Sequence, residues 1–148
     1  MEKYECLKLK NQLCFPIYLC SKEIIRKYTP FLSKIDLTYT QYIVMMYFWE
    51  YNESNVKELG SKLMLDSNTL TPLLKKLEDK GYIERKRSTL DERNLIVKLT
   101  SKGEKLRDDA VDIPSSVGKC INLSSEDFVT LYSLMYKILG NIREDYNE

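Results

Sequence analysis

Residues Asp66–Lys80, DSNTLTPLLKKLEDK, decide the fold. Leu70, Leu73, Leu74 and Leu77 recur at i, i+3, i+4 and i+7, which is one apolar stripe of a helix. The opposite side carries Asn68, Pro72, Lys75 and Asp79, flanked by Thr69, Thr71 and Lys76. Short hydroxyl and amide groups can reach base edges, and the cations that follow them neutralise phosphates. Asp66 or Ser67 supplies the N-cap. Upstream, Val56, Leu59 and Leu63 mark a shorter helix containing Gly60, with about three residues left for a turn. Two helices, a tight turn and a second helix that is polar outward predict a helix-turn-helix.

The next residues predict a wing. Gly81 stands where a C′ glycine ends a helix. Tyr82–Arg87 alternates apolar and charged side chains, and Asn94–Thr100 is rich in β-branched and apolar residues. Between them Ser88–Arg93 is polar and turn-like, so the pair reads as a β-hairpin with a charged tip. Lys75–Lys98 holds eight Lys/Arg against five Asp/Glu in a chain whose net charge is only +1. Arg93 at the tip suits an A·T-rich minor groove, where negative potential is enhanced. Each piece alone would pass for a solvated helix or a surface hairpin; their order makes the reading specific.

Composition narrows the chemistry. The 148 residues, 43% hydrophobic and 30% charged, suit one soluble globular domain with a real core. No apolar run approaches the roughly 18 residues of a membrane span, and the N-terminus is no signal peptide, so a cytoplasmic location is expected. There are no histidines, which excludes Ser-His-Asp and Cys-His pairs and His-containing zinc sites. Cys6, Cys14, Cys20 and Cys120 form no C-x-x-C, and in a reducing cytosol they should be free thiols. No cofactor or metal is expected.

Residues 1–10 are polar and read as frayed. Leu9, Leu13, Ile17, Cys20, Ile24 and Tyr28 form a helical stripe closed by Thr29-Pro30, with Cys14, Tyr18 and Ile25 on a second stripe. Pro16 means either that the helix begins near Leu13 or that it kinks; in the first case Cys14 lies at a helix N-terminus, whose dipole favours a thiolate. Thr38–Gln41 is a capping box opening a helix whose apolar face includes Tyr42, Ile43, Met46 and Tyr47. Asn52–Asn55 reads as a polar link. Ser101–Glu104 reads as another capping box, starting a helix through Leu106, Ala110 and Val111 that Pro114 and Gly118 interrupt. Ser124–Asp127 caps a last helix bearing Phe128, Leu131, Leu134, Met135, Ile138, Leu139 and Ile142. The terminal helices carry more apolar surface than a small winged helix can cover. A homodimer is therefore expected, with two recognition helices about one DNA turn apart.

The predicted fold is mainly α with a small β-hairpin wing: residues 1–148 as one domain, dimerisation helices at 8–35 and 101–148, and a winged helix-turn-helix at 38–100. This arrangement resembles the MarR family of winged-helix repressors, through Asp91-x-Arg93 in the wing followed by Leu99-Thr100. Asn11–Phe15, Leu37–Tyr42, Leu65–Leu74 and Val111–Pro114 are similar to its organic-hydroperoxide-sensing OhrR branch, and the staphylococcal SarZ- and MgrA-type thiol regulators share much of the pattern. The resemblance implies a peroxide-sensing cysteine at Cys14, hydrogen-bonded by tyrosines matching Tyr28 and Tyr39, with Tyr18 one turn on from the cysteine. A thiolate attacks a peroxide O–O bond and becomes a sulfenic acid. Cys120 is the candidate resolving cysteine from the other subunit. Cys6 and Cys20 are assigned no role.

The resemblance also implies a double-stranded, pseudo-palindromic operator, contacted by Ser67, Asn68, Thr69, Thr71, Pro72, Lys75, Lys76, Arg87, Asp91 and Arg93. Asn68 replaces the branch's common glycine on the face that meets DNA, so an altered operator preference is expected. Pro72, costly in a helix interior at roughly 3 kcal/mol, reads as a kink tolerated on the DNA face. The competing readings are a regulator of the same architecture governed by a phenolic ligand, a thiol peroxidase, and an adaptor that binds no DNA. A helix-turn-helix with a charged wing is superfluous to an enzyme, and an adaptor would show no salt-dependent DNA binding.

Overall fold

The computed structural model describes residues 3–91 and 94–145. The chain forms two compact units, Met1–Ile113 and Pro114–Glu148. The first holds α1 (Cys14–Leu32), α2 (Tyr39–Tyr51), β1 (Glu53–Asn55), α3 (Val56–Leu63), α4 (Ser67–Asp79), β2 (Ile83–Arg87), β3 (Leu95–Leu99) and α5 (Ser101–Ala110). α6 (Ile113–Ile121) and α7 (Ser125–Asp145) follow. The mainly helical winged-helix architecture expected from the sequence is present.

Among the described residues, 3–10 differ from expectation. Glu5–Leu7 and Leu9–Asn11 are short 3-10 turns, so Leu9 lies outside α1. Asn11 Nδ2 closes them by donating to the Glu5 carbonyl at 2.7 Å. α1 begins at Cys14, which puts Pro16 in the first turn, where its missing N–H is not needed. Pro30 does not end the helix; α1 runs two residues further and turns through Ser33–Ile35.

The Thr38 capping box is formed: its hydroxyl accepts from Gln41 N–H, and Gln41 Oε1 accepts from Thr38 N–H at 3.0 Å. The buried face of α2 is broader than the sequence stripe. Val44, Met45 and Phe48 are fully enclosed with Tyr42 and Tyr47, while Met46 is exposed. Each such side chain withdrawn from water contributes about 1.5–3 kcal/mol.

Asn52–Asn55 is more than a link. Its last three residues are β1, which pairs antiparallel with β3 at Ser54↔Val97, giving a sheet of order β1-β3-β2. The hairpin itself pairs Ile83↔Leu99 through Arg87↔Leu95. Ser54 is buried because Tyr47 Oη donates to its hydroxyl at 3.1 Å. The cap of α5 is Thr100 rather than Ser101: its Oγ1 accepts from Gly103 N–H at 3.0 Å and donates to the Gly81 carbonyl at 2.6 Å. Ile113–Ile121 is a helix and not an interruption, since Pro114 occupies its first turn. Ser124 Oγ accepts from Asp127 N–H at 3.1 Å at the head of α7. Phe128, Leu131, Tyr132, Leu134, Leu139 and Ile142 of α7 remain exposed.

Candidate DNA interface and thiol site

Asp66 is the cap of α4; its Oδ1 accepts from Thr69 N–H at 2.8 Å, which settles the choice between Asp66 and Ser67. Leu70, Leu73, Leu74 and Leu77 are buried, while Ser67, Asn68, Thr69, Thr71, Pro72, Lys75 and Lys76 are all exposed. The helix is thus divided into a face held by the core and a face free to enter a groove. Pro72 leaves the Asn68 carbonyl without its intrahelical N–H, but on a side open to water. At the far end, Gly81 N–H donates to Glu78 O at 2.8 Å and Tyr82 N–H to Leu77 O at 3.0 Å. This Schellman ending needs the left-handed φ of +77° that Gly81 adopts. Three residues therefore separate the reading helix from the wing.

In the wing, Arg87 is exposed at the end of β2 and Asp91 is half-buried, its carbonyl accepting from Asn94 N–H at 2.9 Å. Arg93 lies outside the described residues. The positive charge is less available than a count suggests. Lys80 is paired with Asp36, Arg85 with Glu78, Lys86 with Glu84 and Lys98 with Glu53. Among the described residues Lys75 and Lys76 make no ion pair, so on α4 these two cations are available to phosphates.

Tyr28 and Tyr39 meet where the end of α1 faces the start of α2, ring centroids 5.0 Å apart. Tyr42, which sequence reasoning placed only in the core, joins them at 5.9 Å from Tyr28 and is 2% exposed. Its position one turn after Tyr39 was the available signal. Trp49 completes the cluster at 6.1 Å from Tyr42 and donates Nε1–H to the Gly103 carbonyl at 2.9 Å. Burial raises the Tyr28 and Tyr39 hydroxyls above the usual phenol range, helped at Tyr28 by Tyr39, and pushes Tyr42 up to about 12 through burial and its two tyrosine neighbours. All three therefore remain O–H donors at neutral pH.

Because the neutral form is favoured by folding, the stabilisation is complete below the unfolded tyrosine range near 10 and is lost as pH rises through the folded values. Ultraviolet titration is expected to show these three phenols ionising above the usual phenol range, with unfolding setting in between pH 10 and about 12. Tyr42→Phe should delay that alkaline unfolding.

Cys14, Cys20, Cys6 and Cys120 are all exposed free thiols. Cys14 is the first residue of α1, and Leu13 at the cap position offers no side-chain acceptor. Tyr18 is 57% exposed, with Lys22 Nζ 5.2 Å above its ring. The structure does not bring Cys14 to Tyr28 and Tyr39 of its own chain. Fourteen residues along one helix separate Cys14 from Tyr28, about 21 Å at 1.5 Å per residue. Cys120 lies near the end of α6, in the second unit.

No group of His, Cys, Asp and Glu among the described residues could hold a metal. No helix among them is long and apolar enough to cross a membrane. Sequence reasoning also missed the pairing of Glu78 with Arg85; their opposite charges flank the Gly81 turn, which was the one available sign.

The family description "Transcriptional regulator SarA/Rot" matches residues 26–110. The organic hydroperoxide resistance transcriptional regulator of Bacillus subtilis is 42% identical over 142 residues, 96% of this chain and 97% of that protein. SarZ of Staphylococcus epidermidis is 49% identical over 119 residues, 80% of each chain. The solved structure of reduced AbfR bound to DNA is similar with a TM-score of 0.76 and 33% identity, covering 95% of this chain and 98% of that one.

Proposed function

From a chain that belongs to the MarR/SarA-type family of winged-helix transcriptional regulators, we propose a homodimeric repressor that releases its operator when an organic hydroperoxide oxidises Cys14. The observation that carries the DNA reading is the division of α4, with its four leucines buried and Ser67, Asn68, Thr69, Thr71, Pro72, Lys75 and Lys76 exposed. These residues enter the major groove while the wing, with Arg87, Asp91 and Arg93, follows the backbone into the flanking minor groove. The protein works in the cytoplasm, on a pseudo-palindromic site.

Two observations support a dimer that also completes the sensor. Leu13 at the cap of α1, Leu19 and Ile25 within it, and Phe128, Leu131, Leu134, Leu139 and Ile142 of α7 are exposed, and a second copy covers them through residues 8–35 and 101–148. The separation of Cys14 from Tyr28 along α1 means that the tyrosines donating to its sulfur come from the partner. The thiolate attacks the peroxide O–O bond, giving a sulfenic acid and an alcohol. The Cys120 thiol of the partner then condenses with the sulfenic acid, forming a disulfide and releasing water. Either product replaces the tyrosine-bonded thiolate and shifts the two reading heads off their one-turn spacing.

The test is binding to DNA from the chain's own upstream region, at fixed salt, with and without cumene hydroperoxide. Wild type is expected to lose about 4 kcal/mol of affinity on oxidation, down to its non-specific level. Cys14→Ser should stay bound, and Cys120→Ser reports whether the disulfide is required. Retention of all three proteins on DNA after oxidation would leave a regulator without this switch.

A further inference from the structure

Glu78 is an unexpected residue for its place. It lies in the last turn of α4, where the helix dipole disfavours a carboxylate, on the helix that must approach phosphates. Both of its oxygens are nevertheless engaged. Oε1 accepts the backbone N–H of Arg85 at 2.9 Å, and Oε2 accepts Nε at 2.9 Å and Nη2 at 2.8 Å from the Arg85 side chain. Arg85 holds the Glu78 carboxyl below the usual carboxylate range through these bonds. The Arg85 side chain is only 20% exposed, too covered to serve as a base or phosphate contact itself.

Arg85 is the middle residue of β2, and β2 is an edge strand of the sheet, paired with β3 on its other side. An edge strand presents unpaired N–H groups, and here Glu78 takes the central one. The carboxylate therefore does for the wing what a further strand would do: it fixes the edge, and it fixes it to the reading helix. The chain itself joins the two through the short turn of Lys80, Gly81 and Tyr82. A turn of that length sets distance, but a two-pronged, charge-assisted contact at the third residue of the wing sets pitch.

We infer that Glu78 and Arg85 are a positioning pair, touching no DNA, that locks the wing to the reading helix so that both grooves are engaged by one rigid body. This rests on the reading in which α4 occupies the major groove and the wing the minor groove. It also has an unusual electrostatic signature. If Glu78 were merely a surface charge, Glu78→Gln would bring α4 nearer to neutralising phosphates and tighten binding. If Arg85 were merely a surface charge, Arg85→Lys would change nothing, since the charge is kept and only the fork is lost.

The experiment measures affinity of the full-length protein for the same upstream duplex across a salt series, with hydroxyl-radical protection reading the minor groove and guanine N7 methylation the major groove. Glu78→Gln and Arg85→Lys are each expected to weaken binding about tenfold, and the double variant no further than the worse single one. Both should lose wing protection in the minor groove while α4 keeps its major-groove protection. Tighter binding by Glu78→Gln, unchanged binding by Arg85→Lys, or equal loss at both grooves would overturn the pair's role. Urea unfolding of each variant separates this from instability: a destabilised protein loses both footprints in proportion to its folded fraction. Wild type protecting the major groove alone would overturn the two-groove reading, and the pair with it.

Discussion

Gly103→Ala is expected to destabilise the winged-helix unit by about 4 kcal/mol or more, enough to leave little folded protein at physiological temperature. A Cβ at this position would lie 2.1 Å from the Tyr82 carbonyl oxygen and 2.7 Å from Leu99 Cδ1. The first neighbour is backbone, so no rotamer change relieves it. Relief requires α5 to move away from the Gly81–Tyr82 corner, and three bonds resist that movement. Thr100 Oγ1 accepts from Gly103 N–H, the same hydroxyl donates to Gly81 O, and Trp49 donates to Gly103 O. The substitution thus strikes the point where the end of the reading helix, the base of the wing, α5 and the aromatic cluster are joined. Urea unfolding followed by circular dichroism measures the loss, and a stability within about 1 kcal/mol of wild type would mean that α5 does not start against Tyr82.

That junction also shows what the sequence could and could not reveal. The leucine spacing of α4 and the glycine after it made the helix-turn-helix legible, because one helical period and one left-handed turn each require particular residues. β1 was hidden: Glu53, Ser54 and Asn55 have no strand-forming side chains, and they are extended because β3 offers a free edge and Tyr47 bonds Ser54. Proline misled twice in the same direction. Pro30 sits inside α1, and Pro114 opens α6, because the cost of the missing N–H depends on position within the helix. Resemblance marked Cys14, Tyr28 and Tyr39, but the length of α1 keeps Cys14 apart from Tyr28 within one chain. Tyr42 stayed unmarked because its membership depends on the corner between α1 and α2.

Mixed dimers are expected to respond to hydroperoxide where neither parent variant does so efficiently. One parent is Cys14→Ser with its tyrosines intact; the other is Tyr28→Phe/Tyr39→Phe with its cysteine intact. In the first homodimer there is no sensor thiol. In the second, loss of two hydroxyl donors to the thiolate slows oxidation by about a hundredfold. The heterodimer distinguishes two arrangements. Tyrosines acting within their own chain would leave both of its sites broken, since the surviving Cys14 belongs to the chain carrying the phenylalanines. Tyrosines acting across the interface restore one complete site, because that same Cys14 faces the unaltered chain. The separation of about 21 Å along α1 is the reason the second outcome is expected. Co-expression with two affinity tags isolates the mixed species, and the rate of operator release after adding cumene hydroperoxide reads the result. A rate near that of wild type establishes a shared site, and one complete site suffices for release because displacing either reading head breaks the one-turn register that the palindrome imposes on both. A rate no faster than that of the Tyr28→Phe/Tyr39→Phe homodimer would place sensing within a single chain and require α1 to bend back on itself.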